Sequence, residues 1–227
     1  MVAVCVIPSK PYRLAKTRLA ACLTPSQRRS LSQWLLRRTI RLVRPLVESV
    51  MVISRDGEVL TDACAVGATT VVETGVGLNS ALIQAAERIV AAGGTSMLVV
   101  PADLPLLRAA DITALLARGT AAPSVVVAPC RREVGTNALL TNPPDVIPFA
   151  FGADSFHRHC ALAAQRGIVP VIYRSPTLGF DLDTPEDWQA VRDRLCALGW
   201  QGCDDAGALG RDDDITKPFS VAGVESQ

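Results

Sequence analysis

The stretch VAVCVIPSKPYRLAKTRLAACLTPSQRRSLSQWLLRRTIRLV, residues 2–43, contains a strand, a polar loop and a helix in that order. Its first six residues are apolar and largely β-branched without alternation, the pattern of a strand buried on both faces. Thr24-Pro25 then supplies an N-cap hydroxyl and a proline at the first helical position, which predicts a helix over 25–43. The alternation continues along the chain. Further apolar runs lie at 50–54, 69–73, 97–100, 125–128 and 168–173, with helical segments at 58–66, 80–92, 110–118, 154–166 and 185–198. Strand-helix alternation predicts an α/β fold with a mostly parallel sheet covered by helices on both faces. In such sheets ligands sit beyond the carboxyl ends of the strands, so chemistry is expected in the residues just after each run.

With 227 residues, 49% of them hydrophobic, the chain can bury one ordinary core without metals or disulfides. The domain is expected over 1–199. Residues 200–227 are acidic, aperiodic and glycine-containing, and read as a flexible tail. The seven cysteines are scattered and never in C-x-x-C spacing, which predicts reduced, mostly buried thiols. The run at 2–7 is too short for a signal-peptide core, and no run approaches the ~20 residues of a membrane span. A cytoplasmic location with no membrane partner is expected.

The net charge is only +1, yet every charged residue before Glu48 is basic: Lys10, Arg13, Lys16, Arg18, Arg28, Arg29, Arg37, Arg38, Arg41 and Arg44. Such a block points to an anionic ligand. Aromatics make up 4% of the chain and no nucleic-acid recognition motif occurs, so small phosphates lead over nucleic acid. Lys10, Arg13, Lys16 and Arg18 follow the first strand directly and could grip a triphosphate, guanidinium groups by forked bonds and lysines as point charges. A solvated basic helix face is the alternative, but such a face usually carries balancing acids. The loop is not a Walker A motif. GVGLNSA at 75–81 lacks the third glycine of a dinucleotide fingerprint and reads as a loop entering a helix, its amides still able to approach a ligand.

Acids stand at other strand ends. VVPADLPLL, 99–107, places Asp103 directly after a buried run. LGFDLDTPEDW, 178–188, places Asp181 and Asp183 on one face of an extended segment. Their mutual repulsion, roughly 3 to 4 kcal/mol at an effective dielectric of about 20, calls for a bound cation, a nearby Lys or Arg, or a raised pKa. Thr184, Pro185 and Asp187 start a helix and account for themselves as a cap. Three carboxylates at strand ends suit Mg²⁺, and a basic loop beside them is the logic of metal-assisted attack at phosphorus. GTNALL and FGADSF combine glycines with small donors, and Ser155 lies near a helix start that favours anions; turn chemistry plus an N-cap is the alternative. His157 and His159 face apart on their helix, with no nucleophile motif, and are expected at the surface or behind ligand-contacting groups.

KPYRLAKTRL, LNSAL, PADLPLL, GTNALL, FGADSFHRH and DLDTPED occur in this order between residues 2 and 195. Together they resemble the guanylyltransferases that activate 2-phospho-L-lactate or phosphoenolpyruvate in making the deazaflavin coenzyme F-420. The resemblance implies a single-domain, nucleotidyltransferase-like (GT-A-like) three-layer sandwich that transfers GMP from GTP to a small phosphorylated acid and releases pyrophosphate. It implies that Lys10, Arg13, Lys16, Arg18 and Asn79 contact GTP, and that Asp103, Asp181 and Asp183 hold Mg²⁺. Lys16, Asp103 and Asp183 would be the catalytic residues, and Thr136, Gly152 and Ser155 would bind the acid. Phosphoenolpyruvate, 2-phospho-L-lactate and 3-phosphoglycerate stay open as that acid, and guanine preference enters only through the resemblance. A homodimer is expected, with hand-off of product to the enzyme that attaches the deazaflavin. Two other readings compete: a D-x-D glycosyltransferase using a nucleotide sugar, and a non-catalytic nucleotide-binding module, which would need neither the three acids nor a second anion pocket.

Overall fold

Side chains of the first strand, β1 (Ala3–Pro8), alternate between two cores, Cys5 and Ile7 facing one and Val4 and Val6 the other. That division explains a run without polar gaps. The computed structural model describes residues 2–203. Beside β1 lie β2 (Ser49–Ser54), β3 (Thr69–Val72), β4 (Ser96–Val99), β5 (Ser124–Pro129), β6 (Thr136–Asn142) and β7 (Val171–Ile172). They form one sheet in the order β3-β2-β1-β4-β6-β5-β7. All pairs are parallel except those of β6, which runs against both β4 and β5.

The helices are α1 (Pro25–Val43), α2 (Gly57–Ala65), α3 (Leu78–Ala91), α4 (Ala109–Arg118), α5 (Ser155–Gln165) and α6 (Pro185–Ala197). Helices α1, α2 and α4 cover one face of the sheet, and α3 and α5 the other. The single-domain three-layer sandwich is as expected. Helix α1 starts where the sequence placed it: the Gln27 amide donates to Thr24 Oγ1 at 3.3 Å and the Thr24 amide to Gln27 Oε1 at 2.8 Å, a reciprocal cap.

Strand β6 was not expected. Its sequence, TNALLTN, reads as turn chemistry, but all seven residues are buried. The polar side chains find acceptors only in the assembled fold: Asn137 Nδ2 donates to Leu178 O at 3.0 Å, Asn142 Nδ2 to Gly119 O at 3.1 Å and Thr141 Oγ1 to Pro144 O at 2.9 Å. With those bonds made, burial costs little.

A third apolar cluster ties the loops to the helices. Leu19 and Leu23, beyond β1, pack with Leu31 and Leu35 of α1, with Leu182, and with Trp188, Val191 and Leu195 of α6. Trp200 closes the cluster edge-on against Trp188, ring centroids 5.4 Å apart. Packing therefore continues past the expected boundary at 199; the remainder of the expected tail, 204–227, lies outside the described residues. The expectation of reduced thiols holds for Cys5, Cys22, Cys64, Cys130 and Cys160, but Cys196 is disulfide-bonded. Pairing depends on spatial approach, which scattered spacing does not reveal. Among the described residues no helix is long and apolar enough to cross a membrane.

Candidate functional site

Three separate loops converge on one ammonium group. Lys16 Nζ donates to Leu182 O at 2.6 Å, to Asp103 Oδ2 at 3.3 Å and to Asp183 Oδ1 at 3.3 Å, which employs all three of its donors. The Lys16 side chain is 8% exposed, whereas Asp103 and Asp183 are 34% and 42% exposed and keep oxygen surface free. The Leu182 amide donates to the Asp103 carbonyl at 3.1 Å, so the two acidic loops are also joined backbone to backbone. Leu182 itself is fully buried in the third cluster together with Leu19 of the basic loop. Burial of these two leucines, worth about 2 kcal/mol each, sets the loops against one another before any ligand arrives.

The basic loop is fixed at its start as well. Tyr12 is buried and donates to Asp62 Oδ2 at 3.0 Å, while Asp62 also pairs with Arg37 of α1. Burial, and then the charge of Asp62, push the Tyr12 phenol up, so it stays a donor. A cavity of about 790 Å³ opens beside this loop. Lys10, Lys16, Arg18, Asp103 and Asp183 line it, and it extends over the ends of β1, β2 and β3 to Arg55, Glu73 and Leu78. Of the sequence-derived site residues, Arg13, Asn79, Asp181, Thr136, Gly152 and Ser155 do not line this cavity.

Asp181 is partly buried and close enough to Asp103 and Asp183 to feel their charges. Burial raises its pKa, and the charges of Asp103, Asp183 and Asp187 raise it further against a backbone hydrogen bond that lowers it. The repulsion anticipated between Asp181 and Asp183 is thus met partly by Lys16 and partly by a raised pKa. Among the described residues no group of three His, Cys, Asp or Glu side chains forms a closed metal cage. Asp181 feels the charges of both Asp103 and Asp183 and stays a candidate third oxygen donor. Asp103 and Asp183, with hard, half-exposed oxygens facing the cavity, still fit Mg²⁺, which takes one or two carboxylates and completes its shell with water and phosphate.

The α6 cap holds Asp183 in place. Asp187 Oδ2 accepts from the Thr184 amide at 2.8 Å and from the Asp183 amide at 3.0 Å, and its other oxygen pairs with Arg131. Burial alone would raise the Asp187 carboxyl; the two amides and Arg131 outweigh it and hold it below its ordinary value.

A second polar group lies on the other side of α3. The amide of Thr136 donates to Ser155 Oγ at 2.9 Å, and Thr136 Oγ1 lies 2.9 Å from His159 Nδ1. His159 Nε2 accepts from the Ala150 amide at 3.1 Å. The ring is therefore neutral with its proton on Nδ1, and Thr136 keeps its own hydroxyl proton to donate. Gly152, between them, adopts φ +122°, which favours glycine. Asn79 links this group to the cavity: its amide nitrogen donates to Phe151 O at 3.1 Å and its oxygen accepts from Phe151 N at 2.8 Å. Both polar ends of Asn79 bond Phe151 of the 149–152 loop, and each keeps one further hydrogen-bonding position. His157 is exposed and pairs with Asp154, whereas His159 is fully buried behind Thr136.

Burial, then the charge of Arg158, lower the His159 pKa from 6.5 to about 4. The unfolded chain binds this proton first. Stability from the neutral ring is thus complete above the unfolded value and is lost as pH falls through the folded one, about 3 kcal/mol in all. The urea stability gap between wild type and His159→Gln is expected to narrow by that amount between pH 7 and pH 4. A gap independent of pH would overturn the neutral assignment.

Arg55 and Glu73 escaped the sequence reading although both stand at carboxyl ends of apolar runs. The signal was present, since each run end was a candidate position, but a single Arg or Glu carries no motif.

A family model described as guanylyl transferase CofC like matches residues 3–191. The chain is 41% identical over 183 residues to a phosphoenolpyruvate guanylyltransferase of Rubrobacter xylanophilus, covering 80% of this chain and 89% of that one. It is 36% identical over 188 residues to a 3-phospho-D-glycerate guanylyltransferase of Colwellia psychrerythraea, covering 82% and 89%. In fold it is similar to a Methanothermobacter nucleotidyl transferase, with a TM-score of 0.62 at 16% identity over 87% of this chain and 99% of that one. Glucosyl-3-phosphoglycerate synthase from Mycobacterium tuberculosis, solved with Mg²⁺ and uridine diphosphate, gives 0.53 at 14% identity over 89% and 79%.

Proposed function

The chain belongs to the CofC-like guanylyl transferase family and is a guanylyltransferase, and we propose that it transfers GMP from GTP to phosphoenolpyruvate, with 2-phospho-L-lactate and 3-phosphoglycerate as the other candidate acids. The observation that supports this reading best is Lys16 held between Asp103 and Asp183 at the edge of a cavity bordered by Lys10 and Arg18. Cations and carboxylates alternate there as transfer between two phosphate-bearing substrates requires.

A phosphate oxygen of the acid attacks the α-phosphorus of GTP in line. The new P–O bond forms as the bond from the α-phosphorus to the bridging oxygen breaks, and pyrophosphate leaves with the electron pair. The attacking phosphate is already an anion at neutral pH, so no base has to remove a proton. Lys10, Arg18 and, from the loop surface, Arg13 hold the triphosphate, and Lys16 stabilises charge as it moves to the leaving group. Mg²⁺, when bound, would be held by Asp103 and Asp183, with Asp181 as the third candidate oxygen donor, and would neutralise phosphate charge. Thr136, Ser155 and the Gly152 backbone bind the acid, with the Thr136 hydroxyl oriented by His159. The product is a phosphoanhydride joining GMP to the acid's phosphate, and direct hand-off to the enzyme that attaches the deazaflavin would spare it from water.

Incubation with Mg²⁺, GTP and each of the three acids, followed by pyrophosphate detection, tests the reading. Release is expected with phosphoenolpyruvate above the other two, and trapping the product with the deazaflavin transferase identifies the acid. Absence of pyrophosphate with all three acids would defeat it; a nucleoside diphosphate released from a nucleotide sugar would favour the glycosyltransferase instead.

A further inference from the structure

At the end of the cavity remote from Lys16, Arg55 and Glu73 form a second charged pair. Arg55 Nη2 donates to Glu73 Oε1 at 2.6 Å and to Gly75 O at 2.9 Å, and Arg55 Nε donates to Glu73 Oε2 at 3.3 Å. Glu73 is 12% exposed and Arg55 50%, and both line the cavity. The pair follows β2 and β3, whereas Asp103 follows β4. Three strand spacings of about 4.8 Å separate β3 from β4, roughly 14 Å, which suits an extended nucleoside triphosphate with its phosphates at Lys16 and its base at Glu73. The wall between is apolar: Ile53, Val76 and Leu78 line it, and Val76 is 91% exposed. A flat ring could cover that surface.

We infer that Glu73 and Arg55 read the guanine base, Glu73 accepting from its N1–H and 2-amino group and Arg55 donating to O6. This deepens the proposed guanylyl transfer and rests on it for the orientation of the nucleotide. The donor arithmetic supports the match. In this state the Arg55 fork faces both oxygens of Glu73; Arg55 is half-exposed and can turn aside, which leaves that edge of the carboxylate to an incoming base. Guanine offers two adjacent donors on that edge. Turned aside, Arg55 keeps guanidinium donors next to Glu73 for O6, the acceptor beside N1–H in guanine. Adenine presents no N1–H and puts an amino group opposite the guanidinium, so the pair would repel it. The Gly75 contact also steadies the loop: a Cβ on Gly75 would stand 1.9 Å from Ser80 Oγ, so this close turn needs glycine.

Titration calorimetry of wild type, Glu73→Gln and Arg55→Met with GTP, ITP and ATP separates base reading from other roles, because ITP lacks only the 2-amino group. Wild type is expected to bind GTP about 10-fold tighter than ITP and about 100-fold tighter than ATP. In Glu73→Gln the GTP-to-ITP ratio should fall to within about twofold of unity, and in Arg55→Met GTP and ITP should weaken alike relative to ATP. An equal loss for all three nucleotides in Glu73→Gln would put the carboxylate on the ribose or in loop packing and overturn the assignment. Lack of GTP-over-ITP preference in wild type would overturn it too. Pyrophosphate release measured on the same samples keeps the two readings apart. Base discrimination without turnover supports the guanine contacts and removes the transfer reaction; turnover without discrimination does the reverse.

Discussion

Asp103→Asn and Asp183→Asn are each expected to lower kcat/KM for pyrophosphate release by about 10³-fold, the cost of several kcal/mol of charge neutralisation at phosphorus. The melting temperature should stay within about 3 °C of wild type, a shift that answers to less than about 1 kcal/mol. The reason lies in which atoms hold the loops. It is the Asp103 carbonyl that accepts from Leu182, and the Asp183 amide that donates to Asp187. Neither backbone contact involves the carboxylate that the substitution neutralises. An asparagine oxygen can still accept from Lys16, so the ammonium need not move. What changes is the charge facing the cavity. Turnover close to wild type in both variants would remove these carboxylates from the chemistry, and circular dichroism on the same samples guards against a folding defect.

Lys16→Met should cost about 10²- to 10³-fold in kcat, the usual effect of removing one preorganised charge at a developing anion. Methionine keeps the length and apolar stem of the side chain and suits the same backbone as lysine. That backbone is already left-handed at φ 54°, so the strain is common to both residues and cancels in the comparison. Stability should change little, because Asp103 and Asp183 are exposed enough for water and salt to screen their repulsion. Lys16→Arg is expected to restore less than about a tenth of the activity, because a planar fork cannot meet the three acceptors that the ammonium reaches in different directions. Full activity in Lys16→Met, measured at saturating GTP, would reduce Lys16 to a bracket between loops.

Much of this architecture was legible before folding was considered. The uninterrupted run at the start of the chain demanded burial on both faces, and Thr24-Pro25 and Thr184-Pro185 announced α1 and α6 through caps that depend on a few neighbouring atoms. Asp103 and Lys16 were marked by their places after apolar runs. Strand β6 was illegible because its threonines and asparagines are acceptable inside a sheet only once Gly119, Pro144 and Leu178 offer their carbonyls. The partner of Asn79 was illegible for a similar reason: nothing in its motif shows the 149–152 loop, where the Phe151 backbone bonds both ends of its amide.

Sequence alone determined the α/β class, the loops that bear charge and the chemistry those loops suit, since periodicity, caps and charge blocks are local properties of the chain. Only the tertiary structure decided which charges meet. It placed the Lys16 ammonium between Asp103 and Asp183, and brought Arg55 to Glu73 at the far end of the same cavity. The physical reason is range: hydrogen bonds and ion pairs act over a few ångströms, and residues 87 or 167 positions apart come that close only when the apolar clusters have packed.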